Sequence, residues 1–248
     1  MPTSSSSTAS TLQALGEQYR SITNNLANAN TPGYKRMRVG FVQTLRDAIG
    51  PTGASDAEAQ PTSCLESVRR VDFSQGGMTF TGSSLHVALN GRGFFRIETP
   101  NGPLYTRNGK FRPNAQRQLV DGAGRTVAGD GGGPIILPPD VGASQVQVAP
   151  DGTVSAGTQR IGKLKVVDFQ NDSLLKPAGA GCYVAPAGAA ERDADSASVR
   201  QGYVEDSNVS AVEELVGLIT VTRLYEANLK SITMEDRRME NILKVAMS

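Results

Sequence analysis

The sequence predicts an α+β fold in which N- and C-terminal heptad helices form a coiled-coil-like helical domain, with a mainly antiparallel β middle domain between them. Two observations support this class. Apolar residues recur with alternating spacings of three and four near both ends, and Asn-Gly and Asp-Gly pairs recur through the middle. The 248 residues are enough to bury a substantial core without disulfides or metals.

The N-terminal helix is predicted from a narrow apolar stripe made of Leu12, Leu15, Tyr19, Ile22 and Leu26. Their spacing places all of them on one side of a helix. The helix is expected to end near Asn28. Several asparagines there compete with helical backbone bonds, and Pro32 disfavours helical geometry in the residue before it.

The C-terminal helix is predicted from a longer stripe in which the steps alternate between four and three residues. Its members are Ala211, Leu215, Leu218, Thr222, Tyr225, Leu229, Ile232, Asp236, Met239, Leu243 and Ala246. Ser210 and Glu213 form a capping-box pattern at the start of this helix. Glu213 and Glu214 also lie where the helix dipole favours negative charge.

Heptads that continue over this length are typical of a seam shared between helices. The alternative is a helix docked on its own domain, since an isolated helix is marginal in water and requires an apolar surface. In either case the stripes must be buried somewhere. We therefore predict an assembly interface that consists of Leu12, Leu15, Tyr19, Ile22, Leu26, Leu215, Leu218, Tyr225, Leu229, Ile232, Met239 and Leu243.

The β middle is predicted from turn dipeptides that separate short apolar segments. The dipeptides are expected to form hairpin turns at Asn90-Gly91, Asn101-Gly102, Asn108-Gly109, Asp121-Gly122, Asp130-Gly131 and Asp151-Gly152. The strand-like segments are residues 85–89, 94–97, 104–107, 118–120, 146–148 and 164–169.

The predicted organisation has four parts. Residues 1–50 hold the N-terminal helix and a connecting segment of the helical core domain, and residues 51–75 form a linker because they are rich in Gly, Ala, Pro and acidic residues without periodicity. Residues 76–204 form the β-rich middle domain, within which 185–198 is expected to be a loop. Residues 205–248 form the C-terminal helix of the core domain.

Composition and motifs argue against catalysis. The net charge is +1, so the protein has no strong positive electrostatic field that would attract nucleic acid. Protein partners are therefore expected. His86 is the only histidine and no GxSxG or HExxH pattern accompanies it, so an exposed strand histidine is expected. Gly91-Arg92-Gly93 begins like a dinucleotide motif, but Arg96 replaces its third glycine. We predict no catalytic residue, no cofactor and no metal ligand.

The two cysteines, Cys64 and Cys182, lie far apart without a CxxC pattern, so they could pair or stay free. Residues 1–10 are rich in Ser and Thr and lack basic and apolar regions, so no cleaved signal peptide is expected. No apolar run approaches the ~18 residues that span a bilayer, so no membrane insertion is expected.

Three groups of segments resemble the flagellar rod and hook protein family. They are residues 24–36 near the N-terminus, residues 87–95, 105–109 and 151–154 in the middle, and residues 201–209, 212–216 and 223–228 near the C-terminus. The positions that carry the terminal motifs are Asn25, Leu26, Asn28, Thr31, Pro32, Gly33, Tyr34, Ser207, Asn208 and Val209.

The resemblance implies a structural subunit of the bacterial flagellar basal-body rod. Such a subunit would be exported unprocessed by the flagellar type III apparatus and would assemble helically with its own copies and with other rod and hook subunits. The rod crosses the periplasm as an axial drive-shaft between the membrane motor and the hook, with the terminal helices in its inner core.

Residues 105–109 and 132–135 resemble the proximal-rod member of the family, and 201–203 also resembles the distal-rod member. A secreted β-domain enzyme or glycan-binding module is the alternative from another class, and it would require a concave polar site among the strands.

The sequence departs from the family pattern in two places. A Ser-rich start replaces the family's apolar start, which is expected to shorten the N-terminal helix. Arg117 stands where the family has a turn glycine before residues 118–120, which leaves open whether this turn keeps its geometry.

Overall fold

The computed structural model describes residues 3–45, 63–194 and 196–247, with most of their side chains. Two α-helices and a series of β-strands make up this part of the chain, which confirms the predicted α+β class. In chain order the elements are α1 (Thr3–Ala27), β1 (Met37–Leu45), β2 (Ser63–Val71), β3 (Met78–Phe80), β4 (Val87–Asn90), β5 (Phe94–Glu98), β6 (Leu104–Thr106), β7 (Arg112–Pro113), β8 (Leu119–Val120), β9 (Thr126–Val127), β10 (Val146–Val148), β11 (Thr153–Ala156), β12 (Gln159–Lys163), β13 (Val166–Phe169), β14 (Lys176–Gly179), β15 (Cys182–Val184), β16 (Glu191–Asp193), β17 (Ser198–Gln201), β18 (Tyr203–Glu205) and α2 (Ala211–Ala246).

The chain forms two compact units. The helical unit comprises Met1–Ala27, Met37–Arg70 and Ser210–Ser248, and the β unit comprises Asn28–Arg36 and Val71–Val209. The β unit thus extends beyond the predicted 76–204 at both ends and includes residues 28–36, which the prediction assigned to the helical domain. One reason is that the Gly33 backbone N–H donates to the Glu205 carbonyl at 2.7 Å, which ties this segment to the end of the β unit.

In the helical unit, α1 ends at Ala27, as predicted, but it begins at Thr3. The expectation of a shortened N-terminal helix was therefore wrong. Residues 3–10 contain neither Gly nor Pro, and the cost of Ser or Thr in a helix stays below about 0.7 kcal/mol per residue, so the helix continues toward the N-terminus. At the start of α2, the Ser210 hydroxyl accepts a hydrogen bond from the Glu213 N–H at 3.5 Å, in line with the predicted cap.

The helical unit also contains a two-stranded sheet of β1 and β2. β2 falls within the predicted linker of 51–75, so residues 63–71 of that linker are a strand. Pairing with β1 supplies the backbone partners for β2, and this long-range effect has no signal in local composition. Residues 51–62 of the predicted linker lie outside the described residues, and residues 72–75 belong to the β unit.

In the β unit, every strand pair with a described register is antiparallel, as predicted. The largest sheet has nine strands in the order β14-β15-β6-β5-β9-β8-β7, and β13 pairs with both β5 and β16. A second sheet joins β10, β11 and β12, and two pairs are formed by β17 with β4 and by β18 with β3. β16 lies in the segment predicted to be a loop.

The core of the β unit lies in two clusters. The larger includes Leu89, Phe95, Ile97, Val127 and Leu164, each with essentially no exposed surface. The smaller is aromatic, with Tyr105 and Phe169 in an edge-to-face contact at a centroid distance of 4.8 Å. Contacts of this geometry contribute about 0.5–1.5 kcal/mol beyond simple burial.

The predicted hairpin turns are partly correct. Asn101-Gly102, Asp121-Gly122 and Asp151-Gly152 connect strands that pair with each other, and Asp130-Gly131 lies inside a turn closed by a bridge between Ala128 and Pro134.

The hairpin prediction was wrong at Asn90-Gly91 and Asn108-Gly109. β4 pairs with β17 rather than with β5, and β6 pairs with β5 and β15 rather than with β7. At Gly109 the physical reason for a glycine is close approach, because a Cβ there would lie 1.7 Å from the Val87 carbonyl oxygen.

Candidate assembly site

The two helices pack through a small apolar cluster. Leu15 and Ile22 of α1 contact Val221 of α2, and Leu218 packs against the cluster from one side. Leu15, Ile22 and Val221 are buried. Three residues of the predicted assembly interface, Leu15, Ile22 and Leu218, thus lie in the contact between the helices.

The remaining residues of the predicted interface are exposed or half-buried within one chain. Tyr19, Leu215, Tyr225 and Leu229 are exposed. Leu12, Leu26 and Ile232 are half-buried, and the side chains of Met239 and Leu243 lie outside the described residues. The face of α2 that packs within the chain is centred on Glu214 and Val221, one position away from the predicted Leu215 and Thr222.

A groove of about 410 Å³ opens beside this cluster. It is lined by Leu15, Gly16, Tyr19, Arg20, Val221, Thr222 and Tyr225, all of which belong to the helical unit. Two of these residues, Tyr19 and Tyr225, belong to the predicted interface and are exposed. The groove therefore offers aromatic and aliphatic surface that the chain itself leaves open.

Asn25 of the N-terminal motif connects three parts of the helical unit. Its amide Nδ2 donates to the Met37 carbonyl at 2.8 Å, and its Oδ1 accepts from the Met37 N–H at 2.8 Å. Nδ2 also lies 3.3 Å from Oε2 of Glu214 on α2. Asn25 is buried, so these bonds satisfy backbone groups at the start of β1 that water does not reach freely. The motif asparagine thus fixes α1 to β1 and to α2.

The β unit contains a cluster of buried charged side chains, one of which is Lys35 of the N-terminal motif segment (residues 24–36). Glu205 accepts hydrogen bonds from Lys35 Nζ and, at 3.3 Å, from Arg107 Nη1. The side chains of Lys35 and Glu205 are both fully buried, and Lys35 Nζ also donates to the Ser74 carbonyl at 2.7 Å. Burial lowers the pKa of Lys35, against the attraction of Glu205, which raises it. One carboxylate therefore holds two buried cations.

Asn208 connects the C-terminal motif to the N-terminal one. Its Oδ1 accepts from the Arg36 N–H at 2.7 Å, and its Nδ2 donates to the Asp72 carbonyl at 2.8 Å. On the N-terminal side, Gly33 has φ +70°, and a Cβ there would lie 2.4 Å from the Asn108 nitrogen. The motif therefore requires a glycine at this position, and its loop is held by specific hydrogen bonds.

The other motif positions play local parts in the same region. The Thr31 hydroxyl donates to the Asn28 side chain at 3.2 Å, and the Ser207 hydroxyl accepts from the Val209 N–H at 3.2 Å. Tyr34 and Val209 are buried, while Pro32 and Leu26 are half-buried. Except for Asn25 and Leu26, the motif residues belong to the β unit and position its two ends.

Sequence reasoning missed Lys35, Arg107, Glu205 and Glu214 as structural residues. All four are charged residues inside or next to the motif segments, and a charged residue there is the signal that could have indicated them.

His86, expected to be exposed, is half-buried and lies 2.9 Å from the Thr81 hydroxyl.

No set of His, Cys, Asp and Glu side chains suited to a metal ion occurs in the described part of the chain. Neither helix, over its described residues, combines the length and apolarity needed to cross a bilayer. Cys182 is buried with a free thiol, and the side chain of Cys64 lies outside the described residues.

Three families match successive parts of the chain. Residues 7–35 match the flagella basal body rod protein family, residues 88–156 match the flagellar hook protein FlgE/F/G D1 domain, and residues 200–245 match the flagellar basal body rod FlgEFG protein C-terminal family. The matches cover α1 with the motif loop, much of the β unit, and β18 with α2.

Whole-length relatives agree with these matches. The chain is 35% identical over 209 residues to the flagellar basal-body rod protein FlgF of Caulobacter vibrioides, covering 84% of this chain and 83% of that protein. It is 34% identical to the basal-body rod protein FlgG of Agrobacterium fabrum, covering 90% of this chain and 91% of that protein. The corresponding protein FlgG of Bacillus subtilis is 31% identical, again covering 90% and 91%. The chain therefore belongs to the flagellar basal-body rod protein family and is a structural subunit of the flagellar rod, not an enzyme.

Proposed function

We propose that this subunit polymerises helically with its own copies and with other rod and hook subunits into an axial drive-shaft between motor and hook. In this proposal the terminal helices form a coiled-coil-like inner core. The residues of the predicted interface that the contact between α1 and α2 leaves uncovered make the contacts between subunits. The β unit forms the outer wall. Family membership supports assembly with other rod and hook subunits.

The observation that carries the proposal is the unsatisfied apolar surface of α2. This helix has 36 residues and is about 54 Å long, whereas α1 has 25. Among its described side chains only Glu214 and Val221 are buried, and both lie within its first eleven residues. A helix with so little packing is marginal in water, so the exposed Tyr225 and Leu229 require a partner surface.

We also propose where the subunit lies, how it is exported and which member of the rod family it is. The subunit crosses the periplasm as part of the rod and is exported by the flagellar type III apparatus without a cleaved signal peptide. We assign it to the proximal rod, which the 35% identity to a FlgF protein supports. A distal-rod or hook position is the alternative, supported by the FlgG relatives. Electron microscopy of basal bodies from a deletion strain distinguishes these positions, because loss of the proximal rod removes everything beyond it.

The central test is the substitution Leu229→Asp. Leu229 is exposed in the single chain, so the variant should fold normally, but a buried unpaired charge in the subunit contact should abolish assembly. We expect at least a tenfold loss of sedimenting polymer and loss of swimming in soft agar. Circular dichroism checks that the monomer is unchanged.

The matched control is Ser231→Asp, which introduces the same charge two residues further along the exposed part of α2 and outside the predicted interface. It should assemble within about twofold of the wild type. Equal assembly of the Leu229→Asp variant and this control would contradict the proposed interface.

A further inference from the structure

Helix α2 exposes an apolar face at its N-terminal end that does not belong to its contact with α1. This N-terminal apolar face consists of Val212, Leu215, Val216 and Ile219, of which Val212 is 71% and Val216 59% exposed. At about 100° per residue, these side chains lie on the side of the helix roughly opposite to Glu214 and Val221. The first turns of α2 therefore have an apolar side that faces away from α1 and stays exposed.

A second exposed apolar face lies near the other end of the same helix. This C-terminal apolar face consists of Met234, Ile242 and Val245, and the exposed Arg238 lies between them. It is about 40 Å from the N-terminal apolar face along the helix axis and points in a different direction around it. Exposed apolar surfaces of this kind mark sites of protein contact.

We infer that the N-terminal apolar face of one copy packs on the C-terminal apolar face of the next copy of this chain, head to tail. The inference rests on the proposed self-assembly and specifies its geometry. Two different faces of one chain that bind each other form a heterologous contact, which repeats along an axis without closing. Successive copies in this contact are displaced by about 40 Å along α2.

Charge favours this pairing over contact between two identical faces. Residues 211–228 carry Glu213, Glu214, Glu226 and Arg223 and have a net charge of −2. Residues 229–248 carry four basic and three acidic side chains and have a net charge of +1. Head-to-tail contact brings unlike ends together, whereas two N-terminal faces would bring acidic ends together.

Helix α1 is not the occupant of the N-terminal apolar face. Among its described side chains, Tyr19 is the one large apolar residue that is exposed, and it already lines the groove beside Val221. The other exposed residues of α1, such as Gln13, Arg20 and Asn24, are polar. A polar surface cannot cover Val212, Val216 and Ile219, whereas the C-terminal apolar face can.

Disulfide cross-linking between two preparations of the full chain tests this contact. Cys64 is replaced by serine in both, and the buried Cys182 is kept. One preparation carries Val216→Cys and the other Ile242→Cys. They are mixed, allowed to assemble, collected by sedimentation and oxidised. We expect at least tenfold more cross-linked dimer from the mixture than from either preparation alone. Lys244→Cys, at an exposed position about 160° around α2 from Ile242, replaces Ile242→Cys in the matched control and should give only background.

The outcomes separate the two levels of the proposal. Sedimenting polymer without a cross-link between positions 216 and 242 would overturn the head-to-tail contact and leave the proposed self-assembly intact. Cross-linking of the Val216→Cys preparation to itself at the level of the mixture would overturn the contact in favour of identical faces. Absence of any sedimenting polymer from the wild-type chain would overturn the proposed self-assembly and this contact with it.

Discussion

Among the described side chains, the β unit buries most of its large apolar residues, whereas the helical unit leaves many of its own exposed. The two core clusters of the β unit together contain twenty residues, and the cluster between α1 and α2 contains three. Among the described side chains, α2 alone exposes ten large apolar residues, against four in the whole β unit. The helical unit thus exposes the amount of apolar surface that is typical of a protein interface. The β unit exposes little apolar surface, as expected of a domain that is stable by itself.

The same contrast holds for polar groups. In the β unit, the ends of the chain segment are fixed by a buried carboxylate and by an asparagine with several backbone partners. In the helical unit, the comparable fixation is concentrated on Asn25. We therefore expect amide hydrogens of the single chain to exchange more slowly in the β unit than in the helical unit.

Removing the carboxylate of Glu205 should have the largest effect. The substitution Glu205→Gln removes the charged carboxylate that the buried Lys35 and Arg107 both contact, and breaking a buried ion pair typically costs about 3–5 kcal/mol. The free energy of unfolding in urea should fall by this amount. Near-ultraviolet circular dichroism can follow the transition, because Tyr34, Tyr105, Tyr183 and Tyr203 belong to the β unit.

The control for Glu205 is Asp140→Asn, which removes one negative charge from an exposed position of the same unit. It should change the free energy of unfolding by less than about 0.5 kcal/mol. If Glu205→Gln also changed it by less than about 1 kcal/mol, the buried cluster would not be what fixes the ends of the β unit.

Removing the side-chain amide of Asn25 should have a smaller effect, confined to the helical unit. Asn25→Ala leaves the Met37 N–H without its side-chain partner, at a cost of about 1–3 kcal/mol, while the Met37 carbonyl keeps its hydrogen bond from the Ser21 hydroxyl. Hydrogen exchange should accelerate by roughly tenfold or more in α1 and β1, and the β unit should keep its wild-type rates.

The control for Asn25 is Gln13→Ala, which removes a side-chain amide from an exposed position of the same helix. It should leave exchange nearly unchanged. Equal acceleration in both units after Asn25→Ala would show that the two units do not respond independently.

The predictable parts of the fold are those with a local signal. The end of α1 follows from asparagines and a proline, and the cap of α2 follows from Ser210. The core strands follow from short apolar segments between turn residues. β2 and β16 were not predicted, because their segments lack periodicity and are strands only by pairing with β1 and β13. Such pairing depends on residues distant in the sequence.

For the candidate site, the sequence predicts the apolar stripes but not which flank of α2 faces α1. A heptad stripe drifts around a straight helix, so several neighbouring faces are nearly equivalent in sequence. Val221 packs on α1, and the hydrogen bond from Asn25 to Glu214 lies on the same flank of α2. The motif segments are polar, but the burial of Lys35 and Glu205 depends on the folded β unit and has no local signal.

Arg117 is the smallest test of how far the β unit tolerates local strain. Its φ of +60° lies in the left-handed region, so the turn keeps a glycine-like geometry although arginine occupies it. The side chain compensates by donating from Nε to the Leu137 carbonyl at 3.1 Å and from Nη2 to the Val141 carbonyl.

Two substitutions separate backbone strain from these hydrogen bonds. Arg117→Gly removes both, so its free energy of unfolding should lie within about 1 kcal/mol of the wild type. Arg117→Ala removes the hydrogen bonds and keeps the strain, and it should be about 1 kcal/mol less stable than the glycine variant in urea unfolding. Equal stability of the two variants would show that the turn relaxes when arginine is lost. In that case, the hydrogen bonds to residues 137 and 141 would be what holds the left-handed conformation.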